Sequence, residues 1–227
     1  MIAYETHFND LDEWLLVFPW GTPDGMNGYV STSVTKLVDD GVKLDCSTGL
    51  IDVGYMMPRI FWNGAPFSYG LFEAEMTVPK QRAVPDFVLY SQARYKMAVR
   101  SILPEIDIAE FGTERDPIEQ NIAVHHWANN PAFLKHWNYK DPIKRHGLDY
   151  LGHEQRSIQV DWNERRTNYK CEVTKRSVKV YINGQKQFTY CKKLDAFFTP
   201  TFGIGVPNWI KNPYPKHMVV HYFKVEQ

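Results

Sequence analysis

The chain has 227 residues, longer than a modal domain but within the range of a single all-β sandwich. Lysine plus arginine equal aspartate plus glutamate at 26 each, so no charge excess draws the protein to nucleic acid or to an anionic membrane. No apolar run reaches the ~18 residues of a membrane-crossing helix.

Met1-Ile2-Ala3-Tyr4-Glu5-Thr6-His7 carries neither the basic nor the apolar region of a secretory leader. Three cysteines, Cys46, Cys171 and Cys191, allow at most one disulfide, and buried free thiols are the expectation. Their spacing, with eight scattered histidines, fits no zinc site. The 7 Trp, 13 Tyr and 13 Phe suit both a large core and a face that stacks on sugars.

In chain order, Phe8 to Trp14 sets an aromatic, a polar turn and a tryptophan ahead of Leu15-Leu16-Val17-Phe18. Residues 19 to 28 are rich in Pro, Gly, Asp and Asn and read as a loop. Val34, Lys36 and Val38 alternate with Thr35, Leu37 and Asp39, and Asp39-Asp40-Gly41 turns into Val42–Cys46, a hairpin pattern. Arg59-Ile60-Phe61-Trp62-Asn63-Gly64 reads as a loop, with Trp62 suited equally to sugar contact and to a core. Phe67 to Val78 alternates cleanly and ends at Pro79. Glu73 and Glu75 within it read as a solvated face. Ala83–Ser91 is followed by Arg94, Lys96 and Arg100, which suit a solvated loop better than contact with a sulfated polymer.

Leu103-Pro104-Glu105-Ile106-Asp107-Ile108-Ala109-Glu110-Phe111-Gly112 sets three acids among apolar residues. In a strand, Glu105 and Asp107 share a face, but strict alternation puts Ala109 there rather than Glu110. A β-bulge at Ile108-Ala109 restores the phase and brings Glu110 beside the other two. Carboxyl groups so clustered are costly to bury and force some of the set to stay protonated. Beyond them, Ile118–Trp127 reads as the adjacent strand, with Asn121, Ala123, His125 and Trp127 on one face. Residues 128 to 154, including Trp137, lack periodicity and read as a functional loop. Strand patterns return from Arg156, and Asn183-Gly184 between alternating runs marks a hairpin.

Glu105-Ile106-Asp107-Ile108-Ala109-Glu110 resembles the active-site signature of glycoside hydrolase family 16 in its bulged form, E-x-D-x-x-E. The shorter E-x-D-x-E form of lichenases and xyloglucan-modifying enzymes is not present. Other segments are similar to the family's strands. Tyr69–Ala74 resembles its "YG-x-F-E-A", Ser157–Trp162 its "x-x-V-E-W" and Val178–Gln185 its "Y-V-D-G" hairpin. Phe202–Trp209 resembles its late strand and tryptophan-bearing loop, and Val219–Val225 its closing strand. Phe87-Val88-Leu89 departs from the usual Phe-Trp-Leu and removes a ring from the expected cleft wall.

The resemblance runs from Phe8 to Val225 and implies one catalytic domain over residues 1–227. The implied fold is all-β, a concanavalin-like β-jelly-roll sandwich of two curved antiparallel sheets. The implied activity is that of a retaining endo-β-glycanase, with Glu105 as nucleophile, Glu110 as acid/base and Asp107 orienting Glu105. Trp62, His125 (with His126 the alternative), Trp127, Trp137 and Trp209 are the implied substrate contacts. The expected substrate is β-1,3- or mixed-linkage β-glucan. A galactan of the agar, porphyran or carrageenan type is the alternative, supported by Leu89-Tyr90-Ser91, and a lectin-like binding module a further one. The resemblance requires no cofactor and allows a structural calcium, for which the sequence identifies no ligands. It implies a secreted or cell-surface monomer, with either its leader removed or the protein not exported by that route.

Overall fold

The computed structural model describes residues 1–17, 26–48, 54–91, 104–111, 119–125, 153–159, 165–192, 194, 196–210 and 212–227. The first strands are β1 (Ile2–Thr6), β2 (Trp14–Leu15), β3 (Gly28–Val30), β4 (Thr35–Val38), β5 (Gly41–Asp45) and β6 (Ser47–Thr48). They are followed by β7 (Tyr55–Met57), β8 (Arg59–Trp62), β9 (Gly70–Thr77), β10 (Val84–Ser91), β11 (Glu105–Phe111) and β12 (Glu119–His125). The last are β13 (His153–Gln159), β14 (Thr167–Val173), β15 (Val178–Ile182), β16 (Gln185–Tyr190), β17 (Phe198–Gly205) and β18 (His217–Glu226).

Two large antiparallel sheets result, the jelly-roll sandwich expected. The first has the order β16-β15-β14-β9-β18-β5-β4, with β1 also paired to β18, and the second the order β13-β12-β11-β10-β17-β8-β2. A small third sheet, β3-β7-β6, contains a parallel pair.

The turns obey their residues. Asn183 and Gly184 have φ of 47° and 76°, the left-handed pair that a tight hairpin between β15 and β16 needs. Gly41, after the Asp39-Asp40 turn, has φ 127°, and a Cβ there would lie 2.2 Å from the Val220 carbonyl oxygen. Only glycine lets β5 come this close to β18.

The two sheets differ in hydration. In β9 of the first sheet, buried Phe72, Ala74 and Met76 alternate with partly exposed Leu71, Glu73 and Glu75. On the outer side Glu73 meets Lys170 at 3.1 Å and accepts from Asn168 at 2.8 Å, so these two acids belong to a solvated face. In the second sheet, β8, β10 and β17 are buried on both faces, with every residue of these strands buried. Its inner side meets the first sheet through rings. Phe87 stacks on Phe202 at 4.5 Å, and Phe223 of β18 stands edge-on to both.

Arg59–Trp62 is strand β8 rather than a loop, which corrects the sequence reading of Trp62. Alternation turns Ile60 and Trp62 inward and Arg59 and Phe61 outward. Trp62 is 5% exposed, with its ring 4.3 Å from Tyr4 and 5.6 Å from Trp14. Its indole N–H donates to the Ala65 carbonyl at 2.9 Å, leaving no polar atom to offer a sugar. Trp62 is a core residue. The cysteines are all free, with Cys46 and Cys171 buried as expected and Cys191 exposed. Truncating Trp62→Ala should therefore lower stability by about 3–5 kcal/mol, read as a drop in the urea midpoint. A loss below ~1 kcal/mol would remove Trp62 from the core.

Candidate active site

The site begins with the phase change in β11. Against β10, the register runs Tyr90↔Glu105, Leu89↔Ile106 and Val88↔Asp107, then jumps to Phe87↔Ala109 and Asp86↔Glu110. Against β12, Asp107 pairs with Ala123 and Glu110 with Asn121. Ile108 and Ala109 together occupy one step of the ladder, and both are fully buried in the core. The bulge frees the Ile108 carbonyl, which accepts from the buried Gln120 amide at 3.2 Å. Glu105, Asp107 and Glu110 consequently share the face opposite the core, as the spacing predicts.

Three cross-strand rows build that face. In the first, Glu105 lies between His125 and Tyr90, with Thr199 beyond. In the second, Asp107 lies between Ala123 and Val88, followed by Thr201 and Phe61. In the third, Ser157, Asn121, Glu110, Asp86, Gly203 and Arg59 follow one another across six strands.

Polar contacts tie the rows down. His125 Nε2–H donates to Asp107 Oδ2 at 2.9 Å, with the side chains 18% and 3% exposed. Ser157 Oγ donates to Asn121 Oδ1 at 2.7 Å. Arg59 Nη1 donates to Asp86 Oδ1 in an ion pair buried on both sides. On the β8 side of the face, Phe61, Val88 and Tyr90 form an apolar cluster with Leu15 and Val30.

Like charges crowded in a poorly hydrated place hold their protons. Burial, then Asp107 and Asp86, push Glu110 up to about 8, against a smaller lowering by Arg59. Burial first, then Asp107 and Glu110, raise Glu105 well above the ordinary carboxylate range, and a hydrogen bond with Asp107 adds to this. Asp86 is raised only to about 6, because Arg59 offsets part of the effect of burial. Burial and the neighbouring Glu105 push the Tyr90 phenol well above its usual value.

Of the implied substrate contacts, His125 is on the carboxyl face. Trp209 follows β17 and is 45% exposed. Trp127, Trp137 and His126 lie outside the described residues, as do Arg94, Lys96 and Arg100. Asp86, Tyr90, Arg59 and Gly203 join the site without having been singled out as site residues. The signal for Asp86 and Tyr90 was available, since alternation about inward Phe87 and Leu89 turns Asp86, Val88 and Tyr90 to one face. Among the described residues, no group of three or more His, Cys, Asp or Glu side chains is arranged to hold a metal ion, and no helix is long and apolar enough to cross a membrane.

Comparison with solved structures finds the same architecture over the whole chain. The laminarinase catalytic domain of Thermotoga maritima superposes with a TM-score of 0.74 at 15% identity, over 99% of this chain and 97% of that one. The laminarinase of Flavobacterium sp. gives 0.74 at 16% identity and covers 100% of both chains. The endo-β-1,3-glucanase of Pyrococcus furiosus gives 0.73 at 19% identity, over 99% of this chain and 93% of that one. This chain has the laminarinase fold. No protein-family model matches the sequence, and no curated protein does. The likeness is one of backbone rather than of residues.

The raised Glu110 has a signature in stability. Between its ordinary value of 4.5 and about 8, the folded chain holds a proton that the unfolded chain has lost. That stabilising contribution is present in full below 4.5 and lost as pH climbs to about 8. Urea midpoints measured across this window should fall with pH in the parent and fall less in Glu110→Gln. Equal slopes in the two proteins would show that Glu110 is not the group holding the proton.

Proposed function

We propose that the protein is a retaining endo-β-glycanase that cleaves β-1,3- or mixed-linkage β-glucan. The observation that carries this reading is the bulge in β11, which sets Glu105, Asp107 and Glu110 on one sheet face with Glu110 inclined to hold its proton near neutral pH. The laminarinase fold supports the glucan, and the family resemblance of the motif supports the roles.

On this reading, Glu105 attacks the anomeric carbon while Glu110 gives its proton to the departing glycosidic oxygen. The bond from that carbon to oxygen breaks as the bond to Glu105 forms, leaving a covalent glycosyl-enzyme. Water then attacks the same carbon and loses a proton to Glu110, and Glu105 departs as a carboxylate. Retention by this route calls for carboxyl groups about 5–5.5 Å apart. Glu105 must attack as an anion, although its surroundings favour its protonated form. Asp107 is hydrogen-bonded to Glu105 and accepts from His125, which orients Glu105 toward the anomeric carbon. No step needs a metal or organic cofactor. The same reading makes the protein a secreted or surface-bound monomer.

The test is release of reducing ends from laminarin, lichenan, agarose, porphyran and κ-carrageenan. Laminarin or lichenan should be cleaved with the β-anomer formed first, and Glu105→Gln should cost about 10³-fold or more in kcat. Cleavage of a galactan alone would move the substrate to the agar and carrageenan class. Binding without cleavage of any polymer would make the protein a lectin-like module.

A further inference from the structure

The outer face of the second sheet carries a fourth acid that the double displacement does not use. Asp86 of β10 lies directly opposite Glu110 of β11. Residues so placed have Cβ atoms about 4.5–5.5 Å apart, and like charges there repel. On a face with little water, one of the two carboxyls must keep a proton. Arg59 decides which. Its side chains' partner is Asp86, with the two 7% and 8% exposed, and it comes from β8, two strands from β10. It crosses over Gly203, where a Cβ would lie 2.3 Å from Arg59 Nε. An arginine stays charged throughout the working range, so the carboxyl bonded to it is the one that ionises.

We propose that Arg59 and Asp86 are a positioning pair, held across Gly203, that assigns the proton of the Asp86–Glu110 carboxyl pair to Glu110. The use of that proton in catalysis rests on the glycanase reading; its location does not. Among the described residues, the groups facing Glu110 are Asp107 and, farther along, Glu105 on its own strand. From β10 come Asp86 and, farther off, Tyr90, and from β8 Arg59. Strand β12 presents neutral Asn121, with His125 at its far end bonded to Asp107. Asp107 acts in the same direction as Asp86, so removing Asp86 leaves a proton affinity that is reduced but still raised. The order of the two groups agrees, with Asp86 at about 6 and Glu110 at about 8.

The test titrates Glu110 directly. In protein labelled with ¹³C at glutamate carboxyls, its resonance is the one missing from Glu110→Gln. Asp86→Asn removes the anion and leaves the Arg59 charge no longer offset by Asp86 beside Glu110, so both changes draw the midpoint down, by about one pH unit or more. In the double variant Arg59→Met/Asp86→Asn the cation is gone as well, and the midpoint should lie between those of the single variant and the parent. Asp86→Glu, which keeps the charge, should restore it. An unmoved midpoint in Asp86→Asn, or the same midpoint in single and double variants, would overturn the proposal. If Asp86→Asn does not fold, the double variant, which buries no unpaired charge, carries the test, and a midpoint equal to the parent's overturns it. No polysaccharide enters this measurement, so failure of the glycanase reading would show as inactivity with the titrations unchanged. In an active enzyme, the basic limb of the kcat/KM profile should shift downward in the same order, without a matching change in KM.

Discussion

Burying several carboxyl groups on one face of a sheet is possible only if the opposite face of the same strand can still fill a core. The bulge at Ile108-Ala109 reconciles the two. Without the extra residue, every side chain after Asp107 would exchange faces, sending Glu110 into the packed interior and Ala109 onto the site. With it, Ile108 and Ala109 both enter the core and three acids stay outside. Its cost is a carbonyl removed from the ladder, and the buried Gln120 amide meets that carbonyl from the neighbouring strand. The placement of the acids thus depends on a packing decision made on the other side of the strand.

The second sheet holds that decision in place. Strands covered on both faces have side chains fixed by contacts above and below, which suits groups that must keep their mutual geometry. Strand β11 has β12 on one side and β10 on the other, and β10 is itself locked to β17 along its whole length. The first sheet has no such duty. Its outer acids pair with lysines in water, where an ion pair is worth little.

This difference in hydration also explains what could be read from the sequence. Period-two alternation is the mark of a strand with one wet face, and it reveals β9 and the hairpins at Asp39-Asp40-Gly41 and Asn183-Gly184. It also shows the bulge, because three acids among Ile and Ala leave few other ways of sharing a face. Strand β8 was missed for the converse reason. Arg59, Ile60, Phe61 and Trp62 are all buried, so nothing alternates and the run looks like a loop of mixed residues. The roles of Asp86 and Gly203 were hidden differently. Asp86 becomes a neighbour of Glu110 only through the register of β10 on β11. Gly203 becomes necessary only because an arginine one strand away has to pass over it. Such facts belong to pairs of strands, and a single chain read in order does not contain them.

The Arg59–Asp86 pair is hard to account for by stability. Desolvating two charges offsets most of what their attraction returns, and apolar side chains of similar size would serve the fold as well or better. The adjacent cluster of Phe61, Val88 and Tyr90 shows that this face accepts such packing. A charge pair retained one step from it, opposite Glu110, is better explained by what it does to its neighbour. A cation bonded to one carboxyl of a close pair breaks the symmetry between the two. The surroundings of Asp86 and Glu110 are otherwise much alike, both being acids on central strands of the same buried face. Symmetry broken in this way turns a row of equivalent acids into one with a designated proton holder, which is the property an acid catalyst needs before any substrate arrives.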